Sequence, residues 1–301
     1  MPKPNININW AYQKAVSYSQ YSIYKQCPYQ WHLTYIKKQS RFKPSIYLIY
    51  GTAMHETIQT YLKTMYETSG KAADAIDLNK LLEERLIANY KESLEENNKE
   101  HFSTPEELKE FLFDGQLTLD WFKKNRGKYF SRRTSNLVGI EIPILQPVID
   151  DIPNVLMNGF IDFIIHEKNI DTYTIYDIKT STKGWSDYEK KDQTKINQVL
   201  FYKRFYSKVM NIPEDRIDVK FFIVKRKVFQ NPDYPTYRVQ EFIPANGKKK
   251  VEDAMKDLGQ FIRECFTKDA KYNTERTYPK NIEACKFCPY NDKPELCDRT
   301  A

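Results

Sequence analysis

The chain has 301 residues, 41% of them hydrophobic and 29% charged, with a formal net charge of +7. That length supports one substantial buried core, and no apolar run approaches the ~20 residues that span a bilayer, so a helical membrane protein is set aside. Without a secretory signal pattern a cytoplasmic protein is expected, bacterial or made by a phage in its host's cytoplasm. The cationic excess points to a polyanionic partner.

In chain order, the pattern predicts a helical region from about Ser17 to Arg133. Its pieces are a helix leading to Cys27, an amphipathic helix after Gly51, a charged helix from Leu78 to Asn97, and one opened by Ser103-Thr104-Pro105-Glu106-Glu107, where a cap residue and a proline precede the helical turns. A strand follows from Leu137 to Leu145. The β-branched and aromatic runs Val155 to Ile165 and Thr172 to Lys179, parted by His166 to Asp171, predict a hairpin. After a turn-rich stretch, Thr180 to Asp192, the spacing predicts a helix over Ile196 to Met210, strands at Ile217 to Val228 and Tyr237 to Ile243, and a C-terminal helix with a cysteine-bearing tail. No repeat or long low-complexity linker interrupts the chain, so one unit is expected: a helical region (17–133), a core (134–245) and a tail (246–301).

The polar signatures lie on the hairpin and the helix after it. Gly159-Phe160-Ile161-Asp162 and Asp177-Ile178-Lys179 place two aspartates on neighbouring strands, and alternation puts Asp177 and Lys179 on one face while the Ile178 carbonyl offers a further oxygen. Carboxylates and a backbone oxygen suit Mg²⁺ or Mn²⁺ beside a phosphate. A cation there polarises the phosphoryl group, with Lys179 placed to orient water or neutralise developing charge. Gln198 and Tyr202, four apart on one helical face, can brace that lysine or a nucleic-acid backbone. Glu141, in the strand before the hairpin, reads as an outward-facing, solvated position of an alternating strand, with a place near the site as its second reading. The basic runs Lys123 to Arg133, Lys225-Arg226-Lys227 and Lys248-Lys249-Lys250 interleave partly with aromatics, as single-strand binding surfaces do, although each also fits a solvated face.

The order G-x-I-D, D-x-K, Q-x3-Y resembles the motifs of the RecB-type branch of the PD-(D/E)XK nucleases, and Gly51-Thr52-Ala53-Met54-His55-Glu56 looks like that branch's G-x3-H motif. The resemblance implies a restriction-endonuclease-like α/β core, a central mixed sheet flanked by helices, with a helical N-terminal insertion. It implies a metal-dependent DNA exonuclease in which His55, Asp162, Asp177 and the Ile178 carbonyl hold the ion and Lys179, Gln198 and Tyr202 serve the chemistry.

There are five cysteines. Cys265 falls with Ala254, Leu258, Phe261 and Ile262 on the apolar stripe of the C-terminal helix and reads as core. Cys27, Cys285, Cys288 and Cys297 resemble the iron-sulfur clasp of the AddB nuclease domain and the CRISPR-associated RecB-like exonucleases, and Ser17-Tyr18-Ser19-Gln20-Tyr21 up to Cys27-Pro28 resembles their opening. The likeness implies a [4Fe-4S] cluster, while spacing alone leaves four-thiolate Zn²⁺ open. Cys297 is the odd ligand, since eight residues separate it from Cys288. Single-stranded DNA is the implied substrate, in recombination, repair, replication or phage DNA processing. Two rivals are a CRISPR adaptation nuclease trimming spacer precursors beside an integrase, and a non-catalytic DNA-binding scaffold of a helicase-nuclease complex.

Overall fold

The computed structural model describes residue 9 and residues 12–39, 44–229 and 236–298. Their strands form one mixed sheet: β1 (Lys14–Val16), β2 (Ser135–Pro147), β3 (Val155–Glu167), β4 (Thr172–Ser181), β5 (Ile217–Lys225) and β6 (Val239–Phe242). Strand β3 is the hub. One edge pairs antiparallel with β2 from Leu156 to Glu167. The other pairs parallel with β1 over Val155 to Met157 and antiparallel with β4 over Phe163 to Glu167. A strand has two edges only, so residues 158–162 have no strand beside them on that second edge, and the sheet opens there. Strand β4 runs on past the opening, held on its far edge by parallel pairing with β5 as far as Ser181 and Lys225.

The helices are α1 (Tyr18–Gln26), α2 (Pro28–Trp31), α3 (Ile46–Glu67), α4 (Gly70–Asp74), α5 (Leu78–Glu96), α6 (Pro105–Asn125), α7 (Asp187–Lys190), α8 (Gln193–Met210) and α9 (Lys248–Cys265). Helices α1, α8 and α9 cover one sheet face through Tyr21, Val199, Phe205, Leu258 and Phe261 against Val219 and Phe221. Helices α3, α5 and α6 cover the other, where Met54, Leu62, Leu82 and Leu119 join Phe163 and Phe222 in one core. Cover on both faces is why β5 reads as an unbroken apolar run, Phe221-Phe222-Ile223-Val224.

Most elements start where their caps are. Thr104 Oγ1 accepts the Glu107 N–H at 3.1 Å ahead of Pro105, as the sequence predicts for α6. The helix expected after Gly51 instead begins five residues earlier, because Ser45 Oγ accepts the Leu48 N–H and Ile46, Ile49 and Tyr50 already face the core. Helix α8 likewise starts before Ile196, at Gln193, since Asp192 Oδ1 accepts the N–H groups of Thr194 and Lys195. It ends at Asn211, whose φ of 52° closes the last turn in the left-handed region. The β5 strand stops at Lys225, short of the Val228 limit the apolar pattern suggests. No helix of the described residues is long and apolar enough to cross a membrane.

The tail returns to the start of the chain. Tyr29 N–H donates to the Pro279 carbonyl at 3.1 Å, Tyr29 Oη to the Leu296 carbonyl at 3.2 Å, and Asn281 Nδ2 to the Gln26 carbonyl at 2.8 Å.

Candidate active site

The opening beside β3 is the floor of a cleft of about 620 Å³ whose walls come from α1, α3, β2, β4 and α8. Asp162 stands at its edge. The β3–β4 ladder ends at Phe163 and Tyr176, so the Ile178 N–H loses its strand partner and donates instead to Asp162 Oδ2 at 2.5 Å. In an extended strand the N–H and C=O of one residue face the same neighbour, so the Ile178 carbonyl also faces the opening. At the opening the hairpin thus supplies the Asp162 carboxylate and a backbone oxygen, where its residue pattern leads to two carboxylates and a backbone oxygen.

His55 reaches the cleft from α3, and Gly51 sets how closely that helix approaches β4. A Cβ at Gly51 would lie 3.0 Å from Thr180 Oγ1, a contact that any larger residue would force apart. One turn further on, His55 Nε2 lies 3.5 Å from Asp162 Oδ2 and 3.5 Å from Glu141 Oε1.

Glu141 corrects the sequence reading. Far from pointing to solvent, it turns toward His55, because the alternation of β2 breaks at this residue. Between the pairs Ile140–Phe163 and Ile142–Ile161 neither Glu141 nor Asp162 is matched across the ladder, and Glu141 has a φ of 51°. A left-handed backbone at a side chain of this size costs on the order of 1–3 kcal/mol and concentrates at functional sites. Gln59 was not anticipated at all. It is 3% exposed, and its Nε2 lies 2.7 Å from Glu141 Oε1, 2.7 Å from His55 Nε2 and 3.0 Å from the Asp162 carbonyl. Its only sequence signal is the one-turn spacing from His55.

Asp177 and Lys179 stand together on the α8 side of the sheet. Asp177 is 1% exposed and its Oδ2 lies 2.9 Å from Lys179 Nζ, a charge contact without hydrogen-bond alignment. Lys179 Nζ also donates to Gln198 Oε1 at 2.9 Å, and Gln198 Nε2 donates to Tyr202 Oη at 3.2 Å. The four residues form one chain of polar contacts that holds the ammonium at the cleft wall. Gly159 makes room for it, since a Cβ there would sit 3.3 Å from Tyr202 Cε1.

Electrostatics follow from burial and crowding. Burial first, then the charge of Asp177, hold the Asp162 carboxyl well above the usual carboxylate range. Burial opposes the charge on Lys179, but Asp177 and Asp162 together outweigh it and raise the ammonium above its ordinary value. Tyr18, on the α1 wall, is pushed up to about 12 chiefly by burial.

The donor set fits a hard divalent cation. One nitrogen and one oxygen from each of two carboxylates, at His55, Glu141 and Asp162, lie within 4.8 Å of one another. Gln59 Nε2 lies against two of these ligand atoms, His55 Nε2 and Glu141 Oε1, and against the Asp162 main-chain carbonyl, which ties the three residues together. Asp177, expected as a ligand beside Asp162, lies outside this trio and is engaged by Lys179.

Cys27, Cys285, Cys288 and Cys297, the clasp cysteines of the sequence reading, line a single hollow where the tail meets α2, together with Tyr29, Asn281 and Tyr290. Burial, and then the neighbouring sulfurs of Cys27, Cys285 and Cys297, raise the Cys288 thiol. Cys265 is fully buried in the α9 core, away from that hollow.

No curated protein matches the chain at a significant level. A family model described as the PD-(D/E)XK nuclease superfamily matches residues 15–293. That span runs from β1 to the cysteine tail and takes in every cleft residue named above. Membership implies phosphodiester hydrolysis with a divalent metal, which agrees with the donor set at the sheet opening. The chain therefore belongs to the PD-(D/E)XK nuclease superfamily.

Proposed function

We propose that the chain is a DNA exonuclease of the RecB-type branch, acting on single strands with Mg²⁺ or Mn²⁺. The observation that carries this reading is the convergence of His55, Glu141, Asp162 and the Ile178 carbonyl on one side of the cleft with Lys179 on the other. His55, Glu141 and Asp162 would hold the ion, with the Ile178 carbonyl as a further oxygen. When bound, the cation polarises the phosphoryl group and makes water a better nucleophile.

The chain's own residues do the rest. Lys179 has three N–H donors; Gln198 takes one, Asp177 makes a charge contact without taking a hydrogen bond, and the remaining donors would serve water or a phosphoryl oxygen. Gln198, itself held by Tyr202, fixes the lysine rotamer, so both are positioning residues. Asp177 neutralises the ammonium in the ground state and keeps it at the wall.

The cysteine hollow supports a metal clasp tying the two ends of the chain, with a [4Fe-4S] cluster as occupant. The choice of cluster rests on the resemblance of the cysteine layout, since four thiolates also suit tetrahedral Zn²⁺. Its role is mechanical, since hydrolysis requires no electron transfer and ligand binding adds folding energy.

Digestion of end-labelled single and double strands with Mg²⁺ or Mn²⁺ tests the reading. Wild type should shorten single strands from an end and Asp177→Ala should not; undegraded single strands, or full activity in the variant, would refute it.

A further inference from the structure

Two large apolar side chains stand in water at the mouth of the cleft. Tyr47 is 58% exposed and Leu48 51% exposed, adjacent on the first turn of α3, and both line the cleft that contains His55. Neither is needed for the core. Their neighbours Ile46, Ile49 and Tyr50 fill the buried face of the same turn.

The Tyr47 ring is braced rather than loose. It meets Phe111 at 88° with centroids 5.1 Å apart, and Phe111 carries the Arg226 guanidinium 3.9 Å from its ring centroid. Arg226 is fixed in turn by Asp114 at 2.7 Å and Glu110 at 3.1 Å. A side chain braced by one ring contact, with more than half of it open to water, is prepared for a planar apolar partner and gives up little rotamer freedom on binding.

Helix geometry places this pair relative to the chemistry. Leu48, Gly51, Thr52, His55 and Gln59 follow one face of α3 along the cleft, and the seven residue steps from Leu48 to His55 span about 10 Å of helix. That separation suits a base about one or two nucleotides from the phosphate held at His55. The first turn of α3 has no acidic residue to repel the backbone there.

We propose that Tyr47 and Leu48 form a stacking platform for an unpaired nucleobase beside the scissile phosphate, so that the site selects single-stranded or frayed ends. This rests on the nuclease reading given above. A base within a duplex has its faces covered by its neighbours and cannot use the platform, whereas any unpaired base can, which makes the preference one of structure and not of sequence.

The test compares wild type, Tyr47→Ala and Tyr47→Phe on single strands, including a series with one abasic residue moved stepwise past the cleaved bond. For Tyr47→Ala, KM should rise about tenfold on the intact strand, with kcat little changed, and Tyr47→Phe should restore it. One abasic position should impose the same loss on wild type and no further loss on Tyr47→Ala. An unchanged KM in Tyr47→Ala, or a penalty that adds to the abasic one at every position, would overturn the platform. Thermal melts of each variant separate this from misfolding. Should wild type cleave nothing, the nuclease reading fails on its own, and fluorescence anisotropy on the same abasic series still decides whether Tyr47 stacks a base.

Discussion

Asp162→Asn should make the metal-free protein more stable while abolishing hydrolysis. Asp162 Oδ2 accepts the Ile178 N–H at 2.5 Å, and the amide oxygen of asparagine can keep that bond. What the substitution removes is a buried negative charge beside Asp177 and Glu141, the crowding that raises the Asp162 pKa after burial itself. A carboxyl whose folded pKa lies above its unfolded value contributes stability below the unfolded pKa and loses it as pH rises through the folded one. With chelator present, wild type should therefore weaken from acidic toward alkaline pH relative to Asp162→Asn, and the gap should level off once the wild-type carboxyl is ionised. Relief of one such site is worth about 1 kcal/mol, or roughly 2 °C in Tm for a chain of this size. Mn²⁺ at a hundredfold excess over its Kd should reverse the order, adding about 2.7 kcal/mol to wild type and little to the variant. Calorimetry across pH with chelator and with Mn²⁺ provides the measurement. A variant less stable than wild type at alkaline pH without metal, or a gap that ignores pH, would refute this account of the site.

Lys179→Ala should lower kcat by about 100-fold or more with little change in strand binding, and Gln198→Ala should cost less because Asp177 still holds the ammonium; single-turnover kinetics distinguish the two. Gly51→Ala should press Thr180 Oγ1 and displace His55, with a loss of activity up to about 100-fold if the shift nears 1 Å, and adding Thr180→Ala should recover much of it in the same cleavage assay. Brown colour with visible absorbance is expected of protein purified without air and should fade in Cys285→Ser but not in Cys265→Ala, while a colourless zinc protein would contradict the cluster.

The hairpin that carries Asp162 and Asp177 is legible because two period-two runs with a polar link leave little choice of structure, and the shared face of Asp177 and Lys179 follows from alternation alone. The same rule failed at Glu141. Alternation assumes an unbroken ladder, and the left-handed backbone that turns this glutamate inward falls where Glu141 and Asp162 are unpaired between β2 and β3, which one strand's sequence does not encode. Strand β1 escaped notice because three residues carry no measurable period, and it owes its existence to pairing with Val155 to Met157. The apolar pattern sets Gly51 ahead of a helix, whereas it lies inside one; its meaning is the close approach to Thr180, a contact across 129 positions of sequence that only the fold reveals. Gln59 illustrates the limit on single motifs: its place in the site comes from sharing a helix face with His55, and glutamine at that spacing is otherwise unremarked.

The most direct test is anomalous diffraction from crystals soaked in manganese. A peak about 2 Å from His55 Nε2, Glu141 and Asp162, lost in Glu141→Gln, is the predicted result. Manganese bound elsewhere in the cleft, or absent from it with all three side chains ordered, would contradict the assignment.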